Sequence, residues 1–122
     1  MRDVPRAPAH IAPYVEVLGI DLAIEFLLTF GGSPLYWARN PRQSRLTDLV
    51  GVEKAAELAV AAEANRLHPR IPLAPEWLAQ ALFAKGLPIA EISRRLHKSD
   101  TAVRRYISAE TRAETRQLSL PL

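Results

Sequence analysis

The 122-residue sequence contains no cysteine. That excludes disulfide scaffolds, thiolate zinc sites and cysteine nucleophiles, and it suits a reducing cytosol. No apolar run reaches the length of a membrane span, and the start, MRDVPRAPAH, lacks a signal-peptide core. The expected location is therefore the cytoplasm, with no membrane partner. His10, His68 and His97 have no metal-ligand spacing. No carboxylate pair, nucleophile elbow or cofactor fingerprint is visible, and no spacing of Ser, His and Asp assembles a triad. The expectation is a non-enzyme with no cofactor and no metal. Gly31-Gly32 is not a phosphate-binding loop, because it follows a helical stretch and no Gly-Lys-Ser/Thr comes after it.

What is present is a chain with 48% hydrophobic residues, much of it alanine, so the core per residue is thin. Its length fits one domain or two small subdomains. Ten prolines stand at element edges and punctuate short, well-bounded elements. The net charge of +3 is unevenly placed: residues 1–72 carry 8 basic and 8 acidic side chains, and residues 73–122 carry 8 and 5. All the excess lies in the C-terminal part, which favours a polyanion as its partner.

That part contains GLPIAEISRRLHKSDTAVRRYI, residues 86–107. Ile89, Ile92 and Leu96 fall on one face of a first short helix, and Val103, Tyr106 and Ile107 on one face of a second. His97-Lys98-Ser99 between them has room only for a sharp corner, and Ser99 or Asp100 can cap the second helix. The pattern is that of a helix-turn-helix, with the small Ser93 where the helices cross. His97 stands where a left-handed residue is needed, a region His tolerates. On the outward face, Asp100, Thr101, Arg104 and Arg105 are the candidate base-reading residues, with Ser99 and Ser108 as further candidate DNA contacts. Arg94, Arg95, Lys98 and Arg112 are the candidate phosphate contacts. The plainer alternative is an αα-hairpin whose arginines are simply solvated. Pro75 opens a preceding helix, with Trp77, Leu78, Ala81 and Leu82 on its buried side, which completes a three-helix unit.

Earlier in the chain, residues 1–13 read as a flexible arm, and a short helix is expected over Tyr14–Leu18. A helix from Gly19-Ile20-Asp21 to Phe30 is apolar on most sides, with Asp21, Glu25 and Thr29 as its polar line. So short a chain has little mass to cover it. Ile20, Ile24, Phe26, Leu27 and Leu28, with Tyr36 beyond, are therefore candidate homodimer contacts. The alternative is a central core helix of a monomer. Leu35–Ala38 reads as a strand, 39–45 as a basic loop and Ser44–Val50 as a short helix. GIDLAIEFL (19–27) and GVEKAAELA (51–59) form an internal repeat 32 residues apart. Each is followed by a strand-like piece, LYWAR and LHPRIPL, and the two pieces are expected to pair within a chain or between chains. The expected fold is mainly α: a helical region with a small two-stranded β element (14–73), a three-helix helix-turn-helix domain (74–112) and a tail (113–122).

In the order of its features the chain resembles the Mor transcription activator family of transposable phages and prophages. The features are the GID and GVE helix openings, FGG-x-x-Leu-Tyr at Phe30–Tyr36, the Ile71-Pro72 strand end and the terminal VRRYI (103–107). The resemblance covers roughly residues 19–112. It implies a homodimer, formed by the N-terminal region, whose two helix-turn-helix units bind double-stranded promoter DNA and recruit RNA polymerase in a bacterial cell. The chain ends Gln117-Leu118-Ser119-Leu120-Pro121-Leu122. Three leucines at alternate positions in a terminus are unusual for a solvated tail. The hexapeptide resembles the bacterial sliding-clamp-binding motif, in which Gln117 would enter a polar pocket and Leu118, Leu120 and Leu122 an apolar groove. The alternative is that the tail packs on its own dimer. Two other readings accompany DNA-binding regulation: an adaptor for the clamp with ancillary DNA affinity, and a structural dimerisation module with a degenerate helix-turn-helix.

Overall fold

The computed structural model describes residues 3–33, 45–64, 66, 67 and 70–119, the stretch 110–119 by its backbone alone. Among them are seven α-helices and no strand, so the protein is mainly helical. The chain divides into two compact units. One comprises residues 7–74; the other comprises residues 1–6 together with 75–122.

The unit of residues 7–74 is built from a repeated helix–Gly–helix element. α1 (Ala12–Leu18) meets α2 (Ile20–Phe30) at Gly19, and α3 (Arg45–Val50) meets α4 (Val52–Glu63) at Gly51. The two glycines share one backbone conformation, φ 81 and ψ 163 at Gly19 and φ 87 and ψ 162 at Gly51. This region is essentially closed to residues with a Cβ. A Cβ at either site would touch nothing within 4 Å, so the requirement is conformational and not one of space. The hydrogen bonds repeat as well. Gly19 N–H donates to Val15 O (2.8 Å) and Ala23 N–H to Gly19 O (2.9 Å); Gly51 N–H donates to Thr47 O (2.8 Å) and Ala55 N–H to Gly51 O (3.0 Å). α1 packs on α2 and α4, and α3 packs on α4 and α2. That scheme is unchanged when the two repeats are exchanged. The repeat thus starts one helix earlier than the matching sequence segments indicate.

The core of this unit centres on Ile11, Tyr14, Phe26 and Leu58, all at 0% exposure. The Tyr14 and Phe26 rings stack at 5.5 Å between centroids, and Phe30 lies 5.5 Å beyond Phe26. Tyr14 Oη is buried with no hydrogen-bond partner among the described residues. Burial pushes its pKa up to about 12, since a phenolate would lose its hydration there.

α2 is a core helix. Ile24 and Leu27 are 2% exposed and Phe26 0%, all within a single chain, so these three do not form the dimer surface expected of them. α1 and α3 cover the helix that a chain this short seemed unable to cover. Leu28 is half-buried and Ile20 exposed, while Tyr36 lies outside the described residues.

The expected pairing of strands falls largely on residues 34–44, 68 and 69, which also lie outside the described residues, so the two-stranded element is not shown. At its edge, Gly32 N–H donates to Ile71 O (2.7 Å) and Ile71 N–H to Ser33 O (2.9 Å), while Arg70 Nη1 donates to Gly32 O (2.8 Å). Segment 70–73 therefore crosses the end of α2. A Cβ on Gly31 would sit 2.5 Å from Leu27 O and 3.2 Å from Pro72 O. Close backbone approach accounts for a glycine at that position.

The other unit contains α5 (Pro75–Ala84), α6 (Ile89–Leu96) and α7 (Asp100–Ser119), each packed on the other two. Trp77, Leu78, Ala81 and Leu82 are buried on α5 as their spacing requires, with Ile92 of α6 and Val103 and Ile107 of α7. Gln80 Nε2 donates to Tyr106 O (2.9 Å) and ties α5 to α7. Residues 3–6 belong to this unit and are not a loose arm: Trp77 Nε1–H donates to Pro5 O at 3.0 Å, and Trp77 is 3% exposed. α7 runs to Ser119, so Gln117–Ser119 have helical backbone where the terminal hexapeptide is expected to be extended. Leu120 and Leu122 lie outside the described residues.

Candidate nucleic-acid interface

Every position of α6, the turn and the first half of α7 is described. α6 has Pro88 as its N-cap, and the carbonyl of Pro88 accepts from Glu91 N–H (3.0 Å) and Ile92 N–H (3.1 Å). At its other end His97 adopts the left-handed conformation, φ 55 and ψ 42. One side chain closes the corner. Ser93 Oγ–H donates to Lys98 O, while Ser93 O accepts from the N–H groups of His97 and Lys98 (3.2 Å for the latter). A small residue at 93 lets the helices approach, and a hydroxyl there also holds the chain through the turn. Ser99 then caps α7: its Oγ accepts from Ala102 N–H (3.1 Å) and its carbonyl from Val103 N–H (3.0 Å).

With Ile92 and Val103 at 0% exposure beneath the corner, the outward face is fixed. Ser99, Asp100, Thr101, Arg104, Arg105 and Ser108 are all exposed. By the 3.6-residue period, positions 101, 104, 105 and 108 share about 100° of arc. The Arg105 guanidinium lies 5.9 Å from the Tyr106 ring centroid, close enough for a cation–π contact that leans it along the helix. Lys98 is exposed in the turn. Arg94 and Arg95 are both engaged on α6: Arg95 Nε reaches Glu91 Oε1 at 3.1 Å, and Arg94 Nη2 meets Glu91 Oε2. A carboxylate between them reduces what either offers a phosphate. Arg112 lies on α7, with its side chain outside what is described. The sequence reading missed Glu91 as a tether, Ser93 as a donor and Gln80 as the link to α7. Only Glu91 had a local signature, its spacing of three and four residues to two arginines on a helix.

The charge asymmetry is sharper when counted by structural unit. The helix-turn-helix unit holds ten basic and six acidic side chains, net +4, against six and seven in residues 7–74. Among the described residues no group of three His, Cys, Asp or Glu side chains is placed to hold a metal ion, and no helix is long and apolar enough to cross a membrane. Comparison with family models, with curated proteins and with solved structures finds no match for this chain.

Proposed function

We propose that the protein is a sequence-reading regulator of transcription that places the N-terminal half of α7 in the major groove of double-stranded DNA. The observation that carries this reading is the corner at His97. A left-handed residue, clasped by Ser93, presents Thr101, Arg104, Arg105 and Ser108 as one exposed face, with Ile92 and Val103 both buried. A solvated αα-hairpin needs neither the left-handed corner nor the concentration of +4 on one unit. Arg104 and Arg105 have the geometry to take guanine edges, and Thr101 and Ser108 to take bases or phosphates. Lys98 and the α7 N-terminus lie beside the expected path of the backbone.

One such unit makes few contacts, so the proposal includes a homodimer reading two half-sites about one helical turn (~34 Å) or a multiple apart. Its surface excludes Ile24, Phe26 and Leu27, which are core. Activation through RNA polymerase, as the likeness to Mor proteins implies, is part of the same proposal.

The test is fluorescence anisotropy of the full chain on mixed-sequence duplexes, titrated with salt, followed by selection of a preferred site. Binding should weaken steeply as salt rises. Arg104→Ala should cost roughly 1–3 kcal/mol at the cognate base and less on other sequences. An equal loss on all sequences would reduce Arg104 to a phosphate contact. Absence of binding at low salt would overturn the reading.

A further inference from the structure

The exposed large apolar residues among the described ones, Ile20, Val52, Val60 and Leu73, all lie on the unit of residues 7–74, and two of them share α4. Few large apolar side chains of the described residues are exposed, and two of them, Val52 (43%) and Val60 (61%), stand two turns apart on α4 with the exposed Ala56 between them. Beside this stripe lies a groove of about 440 Å³ lined by Glu16 and Val17 of α1, by Ala56, Glu57 and Val60 of α4, and by Arg66. Glu53 and Glu63, both exposed, extend the acidic border along α4. Lys54 reaches Glu57 at 3.5 Å, but both side chains are about half exposed, and such a surface pair neutralises little.

We propose that this groove binds an α-helix of a partner protein that carries an apolar ridge with Lys or Arg on its flanks. The inference is independent of the DNA-binding reading. Charge selects the partner. A second copy of α4 fits the apolar stripe by shape: packed antiparallel across a two-fold axis at Ala56, Val52 of each copy would meet Val60 of the other. An antiparallel pair related in that way also sets like flanks side by side, so Glu53 and Glu57 of one copy would face Glu57 and Glu53 of the next. Like charges so placed repel. A basic helix reverses the sign of those contacts while keeping the ridge in the groove, which is the usual mode of helix-in-groove recognition.

The test uses the full chain with ¹³C-labelled valine methyl groups and two synthetic 18-residue helical peptides with the same leucine ridge, one flanked by lysine and one by glutamate. The lysine peptide should shift the Val17 and Val60 methyl signals saturably. Val60→Asp and the double change Glu16→Lys with Glu57→Lys should each weaken that binding at least tenfold. All three positions line an open groove, and an unchanged circular dichroism spectrum and urea midpoint would show that the fold is kept. Three outcomes would overturn the proposal: no shift at Val17 and Val60 with the lysine peptide, equal binding of the glutamate peptide, or Val17 and Val60 shifts in the parent that follow protein concentration alone and accompany a dimer that Val60→Asp abolishes. The last would make the face a contact between copies.

Discussion

α2 and α4 occupy equivalent places in the two repeats, and their fates differ. Where they agree, the agreement is close: Ala23 and Ala55 are 0% and 2% exposed, Phe26 and Leu58 0%, and Ile20 and Val52 41% and 43%. On a second side they part. Ile24 is 2% exposed while Ala56, its counterpart, is open to solvent; Leu28 is half-buried while Val60 is 61% exposed. A shared backbone plan therefore fixes which side faces the common core. The residues on the second side decide whether the helix is enclosed or left available.

The largest expected effect separates the enclosed side from the open one. Phe26→Ala should lose about 3–5 kcal/mol in urea unfolding, as deletion of a buried aromatic ring does. Val60→Ala should stay within about 0.5 kcal/mol of the parent. A loss of several kcal/mol from Val60→Ala would mean that α4 is covered after all. Next come the glycines that join the helices. Gly19→Ala and Gly51→Ala should each cost about 1–3 kcal/mol for holding a Cβ at positive φ with extended ψ. Because the two sites share one conformation, the losses should be similar, and markedly unequal midpoints would break the equivalence of the repeats.

The smallest effect concerns a position where the repeats carry different chemistry. Tyr14 stands opposite Leu46, which has no hydroxyl to bury. Tyr14→Phe should stabilise the protein by about 1 kcal/mol by removing an unpartnered buried group. The pH dependence has a definite sign. Burial raises the phenol to about 12 in the folded state, above its ordinary 10. Below pH 10 both states hold the proton and the group adds nothing to the pH dependence. Between 10 and 12 the unfolded chain ionises first, so stability falls as pH rises, by up to about 1.4 kcal/mol per unit. The Tyr14→Phe variant should lack that share of the slope in unfolding followed from pH 9 to 12.

Local patterns carried the sequence reading a long way where the physics is local. The helix-turn-helix was legible because two short periodic stretches and a three-residue gap leave one geometry, and His97 takes the left-handed conformation expected at that gap. Pro75 begins α5 as a proline at a first helical position should. The apolar girth of α2 was equally visible, but its cause was not. Whether such a helix is covered by its own chain or by a second copy depends on where α1 and α3 fold back, and no residue of α2 records that. The Gly31-Gly32 pair follows a helix and makes no phosphate loop; its role depends on segment 70–73 crossing it, a contact some forty residues away in sequence. The contact from Trp77 to Pro5 had no local pattern at all.

That contact also bears on the order in which the chain becomes a protein. Pro5 leaves the ribosome long before Trp77 exists, so the opening residues have to wait through the synthesis of a whole intervening unit before their partner arrives. Closing so long a loop is an entropic cost met late, and contacts of such sequence separation slow folding. A fragment cut at Pro75 would contain α5, α6 and α7 and still leave one indole N–H without its carbonyl. Trp77 is one of two tryptophans in the chain. With Trp37 replaced by phenylalanine, its emission would give a clock for the moment at which the first residues rejoin the last.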